Sequence, residues 1–137
     1  MTLKRGQIKF VKKYTVEEVE NDPTRVYVYG DNLVHRGQKG QAVIRKLDNS
    51  LGVPTKRYPC VKGKSCFFSD KIDEVLAVKK ALEQIEHLVK KGKKIALPKD
   101  GLGTGLAELE KRSPVIFKYI TLFIRRLDNR YLRFTRR

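Results

Sequence analysis

The sequence predicts an α/β protein, a three-layer α/β/α sandwich with a mixed central sheet, in one domain over residues 1–137. Three observations lead there. Short β-branched and aromatic runs alternate with stretches of helical periodicity. Two of those runs lead directly into polar, glycine-bearing segments. Between them lies a long amphipathic stretch, which suits a helix laid across a sheet.

Residues 7–11 alternate weakly and fit an edge strand. Residues 15–21 fit a short helix: Thr15 can cap it, Glu18 falls at the capping-box position, and Asp22-Pro23 ends it. RVYVY, residues 25–29, has the composition of a buried strand. Gly30, Asp31 and Asn32 then open a loop that runs to Gly40, and residues 41–47 suit a helix.

GVPTKR, residues 52–57, is too short and too proline-broken for a central strand. Residues 66–68 suit a short strand. Ser69 or Asp70 can cap a helix over residues 71–90, whose apolar stripe is Ile72, Val75, Leu76, Leu82, Ile85 and Val89. Asp73 and Glu74 in its first turn and Lys90 and Lys91 at its end complement the helix dipole. Gly92 supplies the stop.

Residues 95–97 form an apolar strand that Pro98 ends. After KDGLGTGL, Ser113 caps a last helix with Pro114 in its first turn. Val115, Ile116, Phe117, Tyr119, Ile120, Leu122, Phe123 and Ile124 make that helix apolar around most of its circumference, which predicts deep burial. Residues 131–134 fit a final strand.

The hydrophobic fraction is 40%, enough for a packed interior. No apolar run reaches the ~18 residues of a membrane span, and MTLKRGQIKF lacks the apolar stretch of a signal peptide. The expected location is the cytoplasm, with no membrane partner. Cys60 and Cys66 do not form a C-x-x-C, and His35 and His87 stand in unrelated contexts. The reading is therefore two free thiols in a reducing compartment, with no metal and no cofactor.

Net charge is +16, from 31 basic and 15 acidic residues. Such a surplus concentrates polyanions near the surface. The charge gathers at both ends: Lys4, Arg5, Lys9, Lys12 and Lys13, then Arg125, Arg126, Arg130, Arg133, Arg136 and Arg137. No base-reading motif accompanies it, so contact with nucleic acid would be to the backbone. Solvated edge residues give the same composition.

Three loops can hold chemistry. In residues 99–106, Gly101, Gly103 and Gly105 alternate with Leu102, Thr104 and Leu106. Glycines allow positive φ and close approach of a ligand, and successive N–H groups can form an anion nest, with the Thr104 hydroxyl as a further donor. The spacing is neither GxGxxG nor a P-loop. A plain strand-to-helix turn is the alternative. In residues 30–40, Asp31 can accept from an amino or hydroxyl group and Asn32 can bond a ribose hydroxyl. Both residue types also bond their own turns. In PTKR, residues 54–57, Lys56 is held by a restricted backbone and can be an anion partner or a nucleophile.

Taken together, the loops resemble the macrodomain, the ADP-ribose-binding α/β/α module. VYVYGDNLVHRGQKGQAVIRKL is similar to its first ligand loop and KKIALPKDGLGTGLAEL to its diphosphate cradle. The similarity runs from about Val26 to Leu127. GVPTKR resembles the lysine-dependent branch, glycohydrolases that remove ADP-ribose from protein or DNA. The short phage-type macro-like proteins are nearest in layout. Two positions depart from the pattern. Gln38-Lys39 stand where consecutive glycines are common, and Ala107 stands where the branch has its acidic residue, with Glu108 one further on.

The resemblance implies a hydrolase with Lys56 and Glu108 as catalytic residues. Asp31, Asn32, Gly40, Thr55, Gly101, Gly103, Thr104, Gly105 and Leu106 would bind ADP-ribose or an ADP-ribosylated macromolecule. A non-catalytic reader, a basic nucleic-acid-binding protein on the same scaffold, and a phosphatase for ADP-ribose 1″-phosphate are the alternatives.

Overall fold

The computed structural model describes residues 6–135, with side chains described to residue 127. Lys4, Arg5, Arg136 and Arg137 lie outside the described residues, as do the side chains of Arg130 and Arg133.

The first strand, β1 (Ile8–Val11), is followed by helix α1 (Val16–Glu20), capped as its sequence predicts by the Thr15 hydroxyl, which accepts from the Glu18 N–H. Strand β2 (Arg25–Asn32) leads through a 3-10 turn at Gly40–Ile44 to β3 (Ser50–Lys56). Helix α2 (Ile72–Lys90) precedes β4 (Lys94–Pro98), and helices α3 (Leu109–Arg112) and α4 (Pro114–Thr135) complete the described chain.

The four described strands lie in the order β1-β4-β2-β3 and every pair is parallel. The expected mixed sheet is thus corrected to a parallel one. Each strand is reached by a crossover (α1, the 3-10 turn, α2), and a crossover returns the chain to the same end of the sheet. β1 is an edge strand, as its weak alternation suggests. β3 is the other edge, which lets it accommodate Pro54 along its length.

Alternate residues feed two cores. Val28, Ile95 and Leu97 join Val78, Leu82 and Ile85 of α2 and Ile116 and Ile120 of α4. Tyr27, Tyr29 and Ala96 point the other way, onto Val19 of α1 and Ala42 and Ile44 of the 3-10 turn. This period of two is what a strand buried on both faces requires.

Several local expectations are revised. Residues 30–32 belong to β2 rather than to the loop after it. Of residues 41–47, where a helix was expected, only 41–44 are helical, as part of the 3-10 turn Gly40–Ile44, and 45–47 are turn and bend. Lys64–Cys66 is also 3-10, and Phe67 makes a single antiparallel bridge to Lys56 where a strand was expected. In α2 the buried face is Glu74, Val78, Ala81, Leu82, Ile85 and Val89, while Ile72 and Leu76 are 76% and 59% exposed. Val115, Tyr119 and Leu122 of α4 are exposed as well, so that helix is less enclosed than its apolarity predicts. Residues 131–134 continue α4 and form no strand.

Asp70 does cap a helix, but it is α4. Its carboxylate accepts from the Ser113 hydroxyl (2.5 Å) and from the N–H groups of Val115 and Ile116. Glu74 instead serves α2, accepting from the N–H groups of Ser69 and Lys71. Gly92, at φ +79°, ends α2 as expected, with Gly92 N–H bonded to Val89 and Lys93 N–H to Leu88. No helix among the described residues is long and apolar enough to cross a membrane.

Candidate functional site at the carboxyl edge of the sheet

In a parallel sheet the carboxyl ends of all strands share one edge, and ligands of open α/β sheets bind there. The ends of β2, β3 and β4 bring residues 31–32, 55–56 and 99–106 to that edge. Neighbouring register places Asn32 opposite Lys56. Gln41 joins the first segment to the third: its Oε1 accepts from Gly30 N–H at 2.9 Å and its Nε2 donates to the Gly101 carbonyl at 3.2 Å.

Asp31 is buried and fully engaged. Oδ1 accepts from its neighbour Asn32 N–H and from Arg45 Nη1, and Oδ2 lies 2.7 Å from His35 Nδ1. A Cβ at Gly52 would come within 2.7 Å of Oδ2, so glycine there leaves room for the carboxylate. Asn32 shapes the loop that follows. Its Oδ1 accepts from Val34 and Arg36, and its Nδ2 donates to the Arg36 carbonyl at 2.7 Å. Both residues therefore use their side chains within the protein, the local behaviour open to Asp and Asn in turns. Gly40, at φ +59°, starts the 3-10 turn in an exposed position.

Thr55 is buried, with its hydroxyl donating to the Asp31 carbonyl. The Lys56 ammonium donates to the Cys60 carbonyl at 2.5 Å and lies 5.1 Å from the centre of the Phe67 ring. Cys60 and Cys66 are joined by a disulfide, which corrects the expected pair of free thiols. The crosslink closes a loop whose Cys66 carbonyl accepts from Arg57 and Tyr58 N–H. Burial pushes the Lys56 ammonium below the ordinary lysine value, and the Glu108 carboxylate works in the opposite direction.

Glu108 is thus close enough to act on Lys56 electrostatically. It reaches this place through a left-handed backbone at φ +46°, one residue after the buried Ala107. Its carboxylate accepts from Arg112 Nε at 2.8 Å, and that hydrogen bond holds it below the usual carboxylate range against the opposing effect of desolvation. The Arg112 guanidinium lies 3.7 Å from the Phe67 ring centre, so Phe67 is contacted by both cations.

The glycine loop divides by function. Gly101 and Gly103 have positive φ. Gly103 is required for packing, since a Cβ there would lie 2.7 Å from Leu109 Cδ2, and its carbonyl accepts from Leu109 N–H. Gly105 meets no such neighbour. The Thr104 hydroxyl donates to the Asp100 carbonyl, and the Leu106 side chain is exposed. The N–H groups of Gly103, Thr104 and Gly105 make no hydrogen bond to the described residues. A depression of about 210 Å³ borders this loop, with Glu108 and Lys111 in its wall.

Comparison with known protein families finds a family model that matches residues 9–123. The chain belongs to DUF7831, a family of unknown function. The DUF7831 match takes in all three edge loops, and with them every candidate residue from Asp31 to Glu108. No curated protein and no solved structure matches the chain.

Within this DUF7831 site, sequence reasoning missed His35, Gln41, Arg45, Phe67 and Arg112. Arg45 and Gln41 act across the sheet edge, on partners 14 and 60 residues away, and no local pattern marks such contacts. Phe67 reads as an ordinary core aromatic. His35 had a legible signal: it stands four residues after Asp31, within reach across one turn.

Proposed function

We propose that this chain binds ADP-ribose, or a closely related nucleotide, at the carboxyl edge of its sheet and removes ADP-ribose from modified nucleic acid or protein. In this reading the fold is a three-layer, macrodomain-like sandwich. The observation that carries the proposal is the set of N–H groups of Gly103, Thr104 and Gly105 left without a partner among the described residues, at the same sheet edge as a lysine whose proton affinity burial lowers. Free N–H groups in a glycine loop suit a diphosphate. A lysine with lowered proton affinity suits attack at, or stabilisation of, an anomeric centre.

Lys56 then serves as the nucleophile or as the cation that stabilises the departing linkage, with Glu108 handling the proton. Asp31 and Asn32 contribute by holding the first loop in place, since their side chains are committed within the protein. The excess positive charge draws an anionic substrate to the edge.

Calorimetric titration with ADP-ribose tests binding, and release of ADP-ribose from modified DNA and protein tests turnover, each with wild type and Lys56→Ala. No binding by the wild type sinks the proposal. Binding without turnover leaves a reader module, and release of inorganic phosphate from ADP-ribose 1″-phosphate identifies the phosphatase alternative. The net charge of +16 favours one second reading, a nucleic-acid-binding protein. DNA affinity that falls steeply with salt and ignores free ADP-ribose would select it.

A further inference from the structure

We propose that His35, oriented by Asp31, is the base that activates water for this hydrolysis. The inference rests on the ADP-ribose reading and adds a residue to it. The His35 side chain is 70% exposed, while that of its partner Asp31 is only 4% exposed. The bond runs through Nδ1 at 2.7 Å. A carboxylate at Nδ1 keeps the proton on that nitrogen and leaves the Nε2 lone pair outward, the arrangement a general base needs.

The histidine is held, although it is exposed. Arg45 fixes the segment around it: Nη1 bonds Asp31, Nη2 bonds the Arg36 carbonyl and Nε bonds the Gly37 carbonyl. Asn32 grips the Arg36 carbonyl from the other side. His35 itself has φ +55°, a left-handed conformation that non-glycine residues adopt sparingly. A loop with this many internal bonds presents its side chain in a defined direction. It follows the end of β2, the strand that Gln41 ties to the glycine loop through Gly30 and Gly101. The carboxylate that faces the ring is Asp31 of β2, and Arg45, just after the 3-10 turn, is bonded to the same carboxylate.

In the step, Nε2 takes a proton from water as its oxygen bonds the anomeric carbon. The bond from that carbon to the acceptor oxygen breaks, with Lys56 stabilising the departing oxygen. Nε2 then releases its proton to solvent while the departing oxygen takes one up. The products are free ADP-ribose and the unmodified acceptor. Asp31 is a positioning residue.

The test has two arms. Long-range proton–nitrogen spectra of the wild type should place the ring proton of neutral His35 on Nδ1, with His87 as the internal reference. Asp31→Asn should shift it to Nε2. An ordinary Nε2–H ring in the wild type overturns the proposal whatever the activity. In the second arm, His35→Gln, a surface change that spares the fold, is assayed on an ADP-ribosylated DNA oligonucleotide. The expected result is a fall of about 100-fold in kcat, with ADP-ribose affinity within about twofold of wild type. An unchanged kcat overturns the role of His35 alone. No ADP-ribose binding by the wild type overturns the site reading and the base with it. Binding without turnover by the wild type overturns the base and leaves the binding site.

Discussion

Gly103 and Leu109 are packed so closely that a methyl group on the glycine would sit 2.7 Å from the leucine Cδ2. The middle glycine of the loop therefore serves the core under it as well as the surface above. Gly103→Ala should cost about 2–4 kcal/mol, from overpacking and a positive φ together. Gly105→Ala, which meets nothing, should stay within about 0.5 kcal/mol. Urea unfolding of the two variants checks the contrast, and equal stabilities would contradict it.

Lys56 and Glu108 can be separated from each other by titration. Burial lowers the lysine and Glu108 partly restores it. Glu108→Gln should therefore lower the Lys56 titration further, read from its ¹³Cε shift. Linkage follows the same sign. A lysine with a depressed folded value penalises the fold while it is charged, and the penalty fades as pH rises through that value toward 10.5. Lys56→Met should remove this alkaline gain in stability.

Asp70 should stabilise the protein through the first turn of α4. Asp70→Ala removes the acceptor of three hydrogen bonds and should cost about 2 kcal/mol, at the upper end for a helix cap. Desolvation pushes its carboxyl up, but the bonds from Ser113, Ile116 and Val115 outweigh it, so its net value lies below 3.8. A depressed carboxyl stabilises fully above its unfolded value and loses that contribution as pH falls through the folded one. The stability difference between wild type and Asp70→Asn should thus narrow below about pH 4.

The Cys60–Cys66 crosslink spans a separation of six residues. Thiol titration of the unreduced, unfolded protein should find no free thiol. The double change Cys60→Ser, Cys66→Ser should lower stability by about 2 kcal/mol, the loop-closure value for so short a ring. It should also open residues 57–66 to proteolysis.

Strands β1, β2 and β4 were legible because their apolar runs are local, and so were Thr15 and Gly92 as helix signals, whereas Pro54 obscured β3 and the expected strands at 66–68 and 131–134 did not form. The sheet's direction was less so: whether a crossover or a hairpin joins two strands depends on what the intervening segment packs against. The glycine loop and Lys56 stand out in the sequence by spacing and composition. Most of the network that holds them was not legible, because Gln41 and Arg45 act on partners supplied by other segments, although Arg112 stands only one turn from Glu108. Asp31 shows the limit most plainly. Its residue type fits a ligand acceptor, but Arg45 and His35 already occupy its oxygens.

The Asp70 cap also bears on the order of assembly. The residue that completes the start of α4 lies 45 positions before Val115, so it leaves the ribosome well ahead of the helix it serves. Until the intervening segment has folded back, the first turn of α4 lacks its acceptor and frays. Docking of this last helix therefore reports that the rest of the chain is in place. Its protection from hydrogen exchange should appear late in folding and be lost together with that of residues 69–71, at the other end of the same contact.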